Sequence, residues 1–146
     1  MAEGSVQLEW NDDKAIIMKL ESNKVTVQKP AEELFQFLSS VSNYEAIMPD
    51  EVSTFKAYED EFKFGLKSLP EVKLRIDETV PNERIVLKSA GGKIDFQLIG
   101  TISDNGDGSS DVQMNFEGEF NAMMAMMVKK PLNQFINDLV AKIEKI

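Results

Sequence analysis

The sequence predicts an α+β domain in which a curved antiparallel sheet of about seven strands wraps around one long C-terminal helix, with two short helices after the first strand. Three observations carry this. Six consecutive segments between Thr54 and Phe120 alternate apolar and polar residues. The hairpins that join them keep the apolar side on one face, the pattern of a meander with one solvated surface. One amphipathic run, Ala122 to Ile146, then follows and is left to cover the apolar face.

Residues 1–17 read as an extension or an added edge strand, and residues 18–146 as the main domain. Val6, Leu8 and Trp10 alternate as in a short strand before the turn-like Asn11-Asp12-Asp13, and Met18 is a second possible start. The first strand of the main domain changes apolar parity, from Ile16, Met18 and Leu20 to Val25 and Val27, which predicts a turn or bulge near Ser22-Asn23. Pro30 suits a first helical position, Glu32 and Glu33 suit the positive end of the dipole, and Leu34, Phe35, Phe37 and Leu38 form a stripe, predicting a helix over 30–39. Ser42 and Glu45 have capping-box spacing and Tyr44 and Ile47 supply a buried side, so a second short helix ends before Pro49.

Turn positions fix the register of the meander. A turn at Glu59-Asp60 sets Ala57 opposite Phe62 and Phe55 opposite Phe64, and a connection through Ser68, Leu69 and Pro70 sets Leu66 opposite Val72 and Phe64 opposite Leu74. Pro81-Asn82 sets Ile76 opposite Leu87 and Glu78 opposite Ile85; Gly91-Gly92 sets Ser89 opposite Ile94 and Leu87 opposite Phe96. Across a flexible loop from Asp104 to Ser110, Ile102 falls opposite Val112 and Leu98 opposite Phe116. Lys63, Lys73, Arg75, Lys88, Asp95, Gln97, Gln113, Asn115 and Glu117 then face solvent. The final helix presents Val128, Leu132, Phe135, Ile136, Leu139, Val140 and Ile143 inward, and Pro131 predicts a kink or break between a Met-rich front and a regular back.

Composition narrows the function. The 146 residues contain no cysteine and no histidine, which excludes thiolate chemistry and removes the commonest general base and metal ligand; no cofactor or metal is expected. A net charge of -9 without a basic stripe argues against nucleic acid. No apolar run is long enough for a membrane span, and the N-terminus lacks a signal-peptide pattern, so a cytoplasmic protein is expected.

The runs Val25 to Leu38 (VTVQKPAEELFQFL), Tyr44 to Pro49 (YEAIMP) and Phe116 to Phe120 (FEGEF) before the long helix, taken with the element order, resemble the START-like, helix-grip (SRPBCC) superfamily. That group includes polyketide cyclases, plant pollen allergens and lipid-transfer domains, and this chain looks most similar to small stand-alone bacterial members. The resemblance spans about residues 18–146 and implies a cavity between the concave sheet and the long helix.

The register names the candidate lining. Large inward residues are Phe55, Phe62, Phe64, Leu74, Ile76, Leu87, Phe96, Leu98, Met114 and Phe116; Ser89, Gly100 and Gly118 are places where volume is missing, or, for the glycines, bends in long strands. Phe135 closes the cavity from the helix, and Met123, Met124 and Met127, with Met126, suit a movable cover or serve as core filler. Glu78 is the one inward charge, a weak catalytic candidate that a strand-end position would simply solvate. Asp104-Asn105-Gly106-Asp107-Gly108 lacks the glutamate and glycine spacing of a calcium loop and reads as a mobile hairpin. The leading expectation is non-catalytic binding or transport of an apolar or amphipathic small molecule such as a lipid, quinone or polyketide-like aromatic. A cyclase/dehydratase-type enzyme in the same cavity is the alternative, and a protein-interaction or chaperone-helper module, with an unspecified protein partner, a further one.

Overall fold

The computed structural model describes residues 5–10, 15–66, 71–91 and 95–146. Asn11-Asp12-Asp13, the Ser68-Leu69-Pro70 connection, Gly92 and Ile94 lie outside the described residues. The elements run β1 (Ser5–Trp10), β2 (Ile16–Glu21), β3 (Val25–Val27), α1 (Ala31–Leu38), a 3₁₀ segment (Val41–Ile47), β4 (Val52–Ala57), β5 (Glu61–Leu66), β6 (Val72–Val80), β7 (Arg84–Ser89), β8 (Asp95–Asp104), β9 (Ser110–Phe120) and α2 (Ala122–Glu144). Among the described residues one antiparallel sheet of nine strands results, in the order β1-β2-β9-β8-β7-β6-β5-β4, with β3 also on β9. The seven expected strands become nine because the first is interrupted into β2 and β3 and because β1 joins as an edge.

The interruption has a local cause. Glu21 pairs with Asn115 and Val25 with Val112, so residues 22–24 oppose only residues 113–114, a bulge of one residue. Ser22 holds it: its backbone N–H donates to Met114 O at 2.9 Å, its hydroxyl accepts from Met114 N–H at 2.9 Å and donates to Asn23 O at 2.8 Å. The side chain is 1% exposed, so these bonds also satisfy a buried polar group.

Register agrees with expectation at both ends of the meander, where Phe55 pairs with Phe64 and Ala57 with Phe62, and where Ile102 pairs with Val112 and Leu98 with Phe116. Two hairpins slip. Phe64 lies opposite Val72 rather than Leu74, and Leu87 opposite Leu98 rather than Phe96. Each slip is two residues, and a period of two cannot reveal it because the same side chains remain inward. Gly91, after the end of β7, adopts φ 90°.

A third departure changes a face. Ile76 pairs with Leu87 as expected, but Glu78 pairs with Val86 and Thr79 with Ile85, so Asp77 is an extra residue and β6 bulges. Everything after it on β6 inverts. Glu78 therefore does not sit inward beside Ile85.

Helix boundaries follow the caps. Pro30 is the residue before α1, with extended ψ of 156°, and not its first helical position. The first N–H of the helix, on Ala31, instead donates to Asp104 Oδ2 at 3.2 Å, a cap delivered from the end of β8. The Ser42–Glu45 capping box does not form, because the 3₁₀ segment begins at Val41 and Ser42 is already inside it. Asn121 caps α2 by accepting from Met124 N–H at 2.8 Å. The expected break does not occur: α2 continues as one helix through Pro131. Pro131 and Met127 both lie on its exposed side, where water can satisfy the carbonyl that the proline leaves without a donor.

Candidate functional site

The inward face of the sheet meets Ala125, Val128, Phe135, Ile136, Leu139, Val140 and Ile143 of α2, all buried. The back half of this seam is filled, with Leu34, Leu38, Ile47, Leu139 and Ile143 at 0–1% exposure. Under the front half a cavity of about 40 Å³ remains, lined by Phe64, Leu66, Val72, Leu74, Phe96, Leu98, Phe116, Phe120, Val128, Leu132 and Phe135. Every lining residue among the described residues is apolar.

Two aromatic stacks wall it. Phe64 lies against Phe135 with ring centroids 5.2 Å apart and 7° between planes. On the other side Phe96 stacks on Phe116 at 5.4 Å, and Phe116 on Phe120 at 6.2 Å. The first stack continues outward through Phe62, 5.9 Å from Phe64, to Tyr44, 4.9 Å from Phe62. Tyr44 is buried and its hydroxyl donates to Leu38 O at 2.7 Å; burial pushes its phenol well above the ordinary range, so it stays protonated. It braces α1 and the 3₁₀ segment against β5.

The cavity brings together six of the residues expected to line it: Phe64, Leu74, Phe96, Leu98, Phe116 and Phe135. Phe55, Phe62, Ile76 and Leu87 pack in or against the surrounding core. Leu66, Val72, Phe120, Val128 and Leu132 complete the lining and were not singled out. Val128 and Leu132 were legible as the helix stripe, and Leu66 and Val72 as inward strand positions.

The residues expected to leave volume free or to provide cover fall as follows, with a correction at the two glycines. A Cβ on Gly118 would meet Phe96 Cβ at 3.0 Å and two Phe116 ring carbons at 3.1 Å, and one on Gly100 would meet Met114 Sδ at 3.2 Å. The space above both glycines is thus occupied by neighbouring side chains, with Met114 itself 2% exposed. Ser89 accepts from Phe96 N–H at 3.2 Å through its hydroxyl, tying β7 to β8. Met123 and Met127 are exposed, 76% and 57%, and Met124 is partly buried. Extending the helix stripe back from Val128 by three positions reaches Ala125, which is why alanine and not methionine faces inward.

Glu78 lies on the outer face, exposed, with Arg84 Nη2 donating to its Oε1 at 2.7 Å. The carboxyl of Glu51 instead occupies a notable setting: burial first, then a hydrogen bond and charge repulsion from Asp138, hold its pKa above the usual carboxylate range. This pair joins the start of β4 to α2 and is absent from the cavity lining. In the Asp104–Asp107 hairpin, Asp104 Oδ1 accepts from Gly106 N–H at 2.7 Å while its Oδ2 caps α1, and Asp107 accepts from Ser109 N–H at 3.0 Å and from the Ser109 hydroxyl at 2.6 Å. Among the described residues no helix is long and apolar enough to cross a membrane.

No protein-family model matches the chain, and no curated protein sequence matches it. Solved structures do. Norcoclaurine synthase from Thalictrum flavum, in complex with dopamine and hydroxybenzaldehyde, superposes with a TM-score of 0.67 at 9% identity, covering 99% of this chain and 95% of that one. A START superfamily protein from Mycobacterium smegmatis gives 0.66 at 16% identity over 87% and 94%. A conserved protein from Geobacillus kaustophilus gives 0.60 at 16% identity over 84% and 90%. At these identities the likeness is one of fold. The chain has the helix-grip fold, an antiparallel sheet closed around a long C-terminal helix over an internal cavity.

Proposed function

We propose that the protein is a binding protein that takes up an apolar or amphipathic small molecule with a flat, conjugated part, held between the two phenylalanine stacks. The observation that carries this is the lining itself: among the described residues all eleven that line the cavity are apolar, and none of their side chains can donate or accept a proton. A ring slid between Phe64/Phe135 and Phe96/Phe116 would replace water contact with offset stacking on both sides. Any polar end must point out of the cavity, since burying it unpaired would cost about 1–3 kcal/mol. The resting cavity holds only a few water-sized volumes, so uptake requires Val128 and Leu132 to move away from the sheet. The exposed, conformationally adaptable methionines at the start of α2 suit that movement.

A cyclase-type enzyme using the same cavity is the second reading. The norcoclaurine synthase neighbour, solved with dopamine and hydroxybenzaldehyde, supports it at the level of fold. Chemistry would require an acid or base to reach the ligand, and the described lining residues supply none. Protein purified from its own cell, observed by native mass spectrometry and then extracted with solvent, is expected to carry one apolar molecule that is recovered unaltered after incubation. A protein that is empty and also fails to take up an apolar dye would overturn the proposal; recovery of a chemically converted molecule would favour the enzyme.

A further inference from the structure

The outer edge of β1 pairs with no strand among the described residues, since β1 is first in the sheet order. Its inward side chains continue the apolar face past the cover of α2: Val6 opposes Leu20, Leu8 opposes Met18 and Trp10 opposes Ile16, yet Leu8 is 38% and Trp10 67% exposed. Exposed edge strands are normally guarded by lysine, proline or a bulge. The opposite edge, β4, has such guards in Lys56 and in a register shift between Val52 and Thr54. β1 reads Ser-Val-Gln-Leu-Glu-Trp without lysine or proline, its pairing with β2 is regular, and its single charge, Glu9, is 3.8 Å from Lys19.

We infer that β1 pairs antiparallel with β1 of a second copy of this chain, about a two-fold axis at Leu8. The strand is self-complementary in that register and not in its neighbours. Opposed residues in an antiparallel pair share a face, so the axis must pass through a residue. Through Leu8, Val6 meets Trp10 of the second copy, Leu8 meets Leu8, and Gln7 meets Glu9, so apolar lies on apolar and each carboxylate faces a neutral amide. An axis through Glu9 would set the two carboxylates opposite each other, and one through Gln7 would leave Trp10 unopposed. The Leu8 register makes one sheet of two, with both long helices on the same face. Six-residue strands bury little area, placing the dimer among weak, concentration-dependent associations.

Sedimentation velocity over a dilution series tests this, with circular dichroism confirming that each variant folds. The wild-type protein is expected to pass from monomer to dimer in the micromolar range. Gln7→Lys sets an ammonium opposite Glu9 of the second copy twice per dimer and should tighten it roughly fivefold, whereas Gln7→Glu should loosen it by a similar factor. Because the chain has no cysteine, Leu8→Cys introduces a single thiol at the axis and should oxidise to a covalent dimer. Gln7→Cys, whose copies lie diagonally apart, should not. A wild-type protein that stays monomeric, a dimer unmoved by both Gln7 substitutions, or equal cross-linking of the two cysteine variants would each overturn the inference.

Discussion

Val128→Leu separates an empty cavity from a filled interior. Val128 is 2% exposed and lines the cavity from α2, so the longer side chain grows into the 40 Å³ of free space. At about 24 cal/mol per Å³, that void costs the folded protein about 1 kcal/mol. One added methylene recovers part of this and adds about 0.8 kcal/mol of transfer free energy. Leucine also exceeds valine in helix propensity by a few tenths of a kcal/mol. Against these stands overpacking, about 1–3 kcal/mol where no space exists. With space present the favourable effects win, and Val128→Leu should stabilise by about 1 kcal/mol, raising Tm by roughly 2–4 °C. The same substitution narrows the gap between the two phenylalanine stacks, so uptake of an apolar fluorescent dye should fall about tenfold, on the order of 1.4 kcal/mol. Thermal and urea unfolding beside a dye titration read both effects. A variant destabilised by more than about 1 kcal/mol with dye uptake unchanged would refute the reasoning, because it would mean that the dye binds elsewhere and the interior is already full.

Gly118→Ala should destabilise by about 1–2 kcal/mol in urea unfolding, because the new methyl meets Phe96 Cβ, fixed to the backbone, at 3.0 Å; Gly100→Ala, which meets only the flexible end of Met114, should cost less than about 1 kcal/mol. Asp104→Ala removes the acceptor for Ala31 N–H and should lower stability by about 1 kcal/mol, with faster amide exchange in the first turn of α1. Glu51 has a raised pKa in the folded protein, so folding binds extra proton just above the ordinary carboxylate range and stability falls as pH rises through the unfolded and then the folded value. Glu51→Gln should remove that fall and raise neutral-pH stability, measured as Tm against pH.

The architecture was legible because its strongest signals are local. Alternation along Phe62–Phe64 and Met114–Phe116, and the helical stripe from Val128 to Ile143, are set by side chains that must leave water together. The parity change at Ser22 announced a bulge, and a bulge is there. The bulge at Asp77 gave no such notice, because the residues after it, Glu78, Thr79 and Val80, carry no clean alternation to break. Glu78 was accordingly assigned to the wrong face. The two-residue slips at Phe64–Val72 and Leu87–Leu98 were invisible for the opposite reason, since they preserve parity. Similarly, Gly118 and Gly100 looked like missing volume because a sequence does not say which long neighbour, Phe116 or Met114, folds over them.

The central claim is that the front of the helix-grip seam, between the two phenylalanine stacks, is where a ligand goes. A methyl-resolved NMR titration with a small planar aromatic compound tests it most directly. The account predicts that the signals of Val128, Leu132, Leu98 and Leu74 move with one saturating isotherm, while those of Leu38 and Ile143 in the packed core stay in place. Saturating shifts confined to Leu8 and the exposed methionines, with the cavity methyls unmoved, would contradict it.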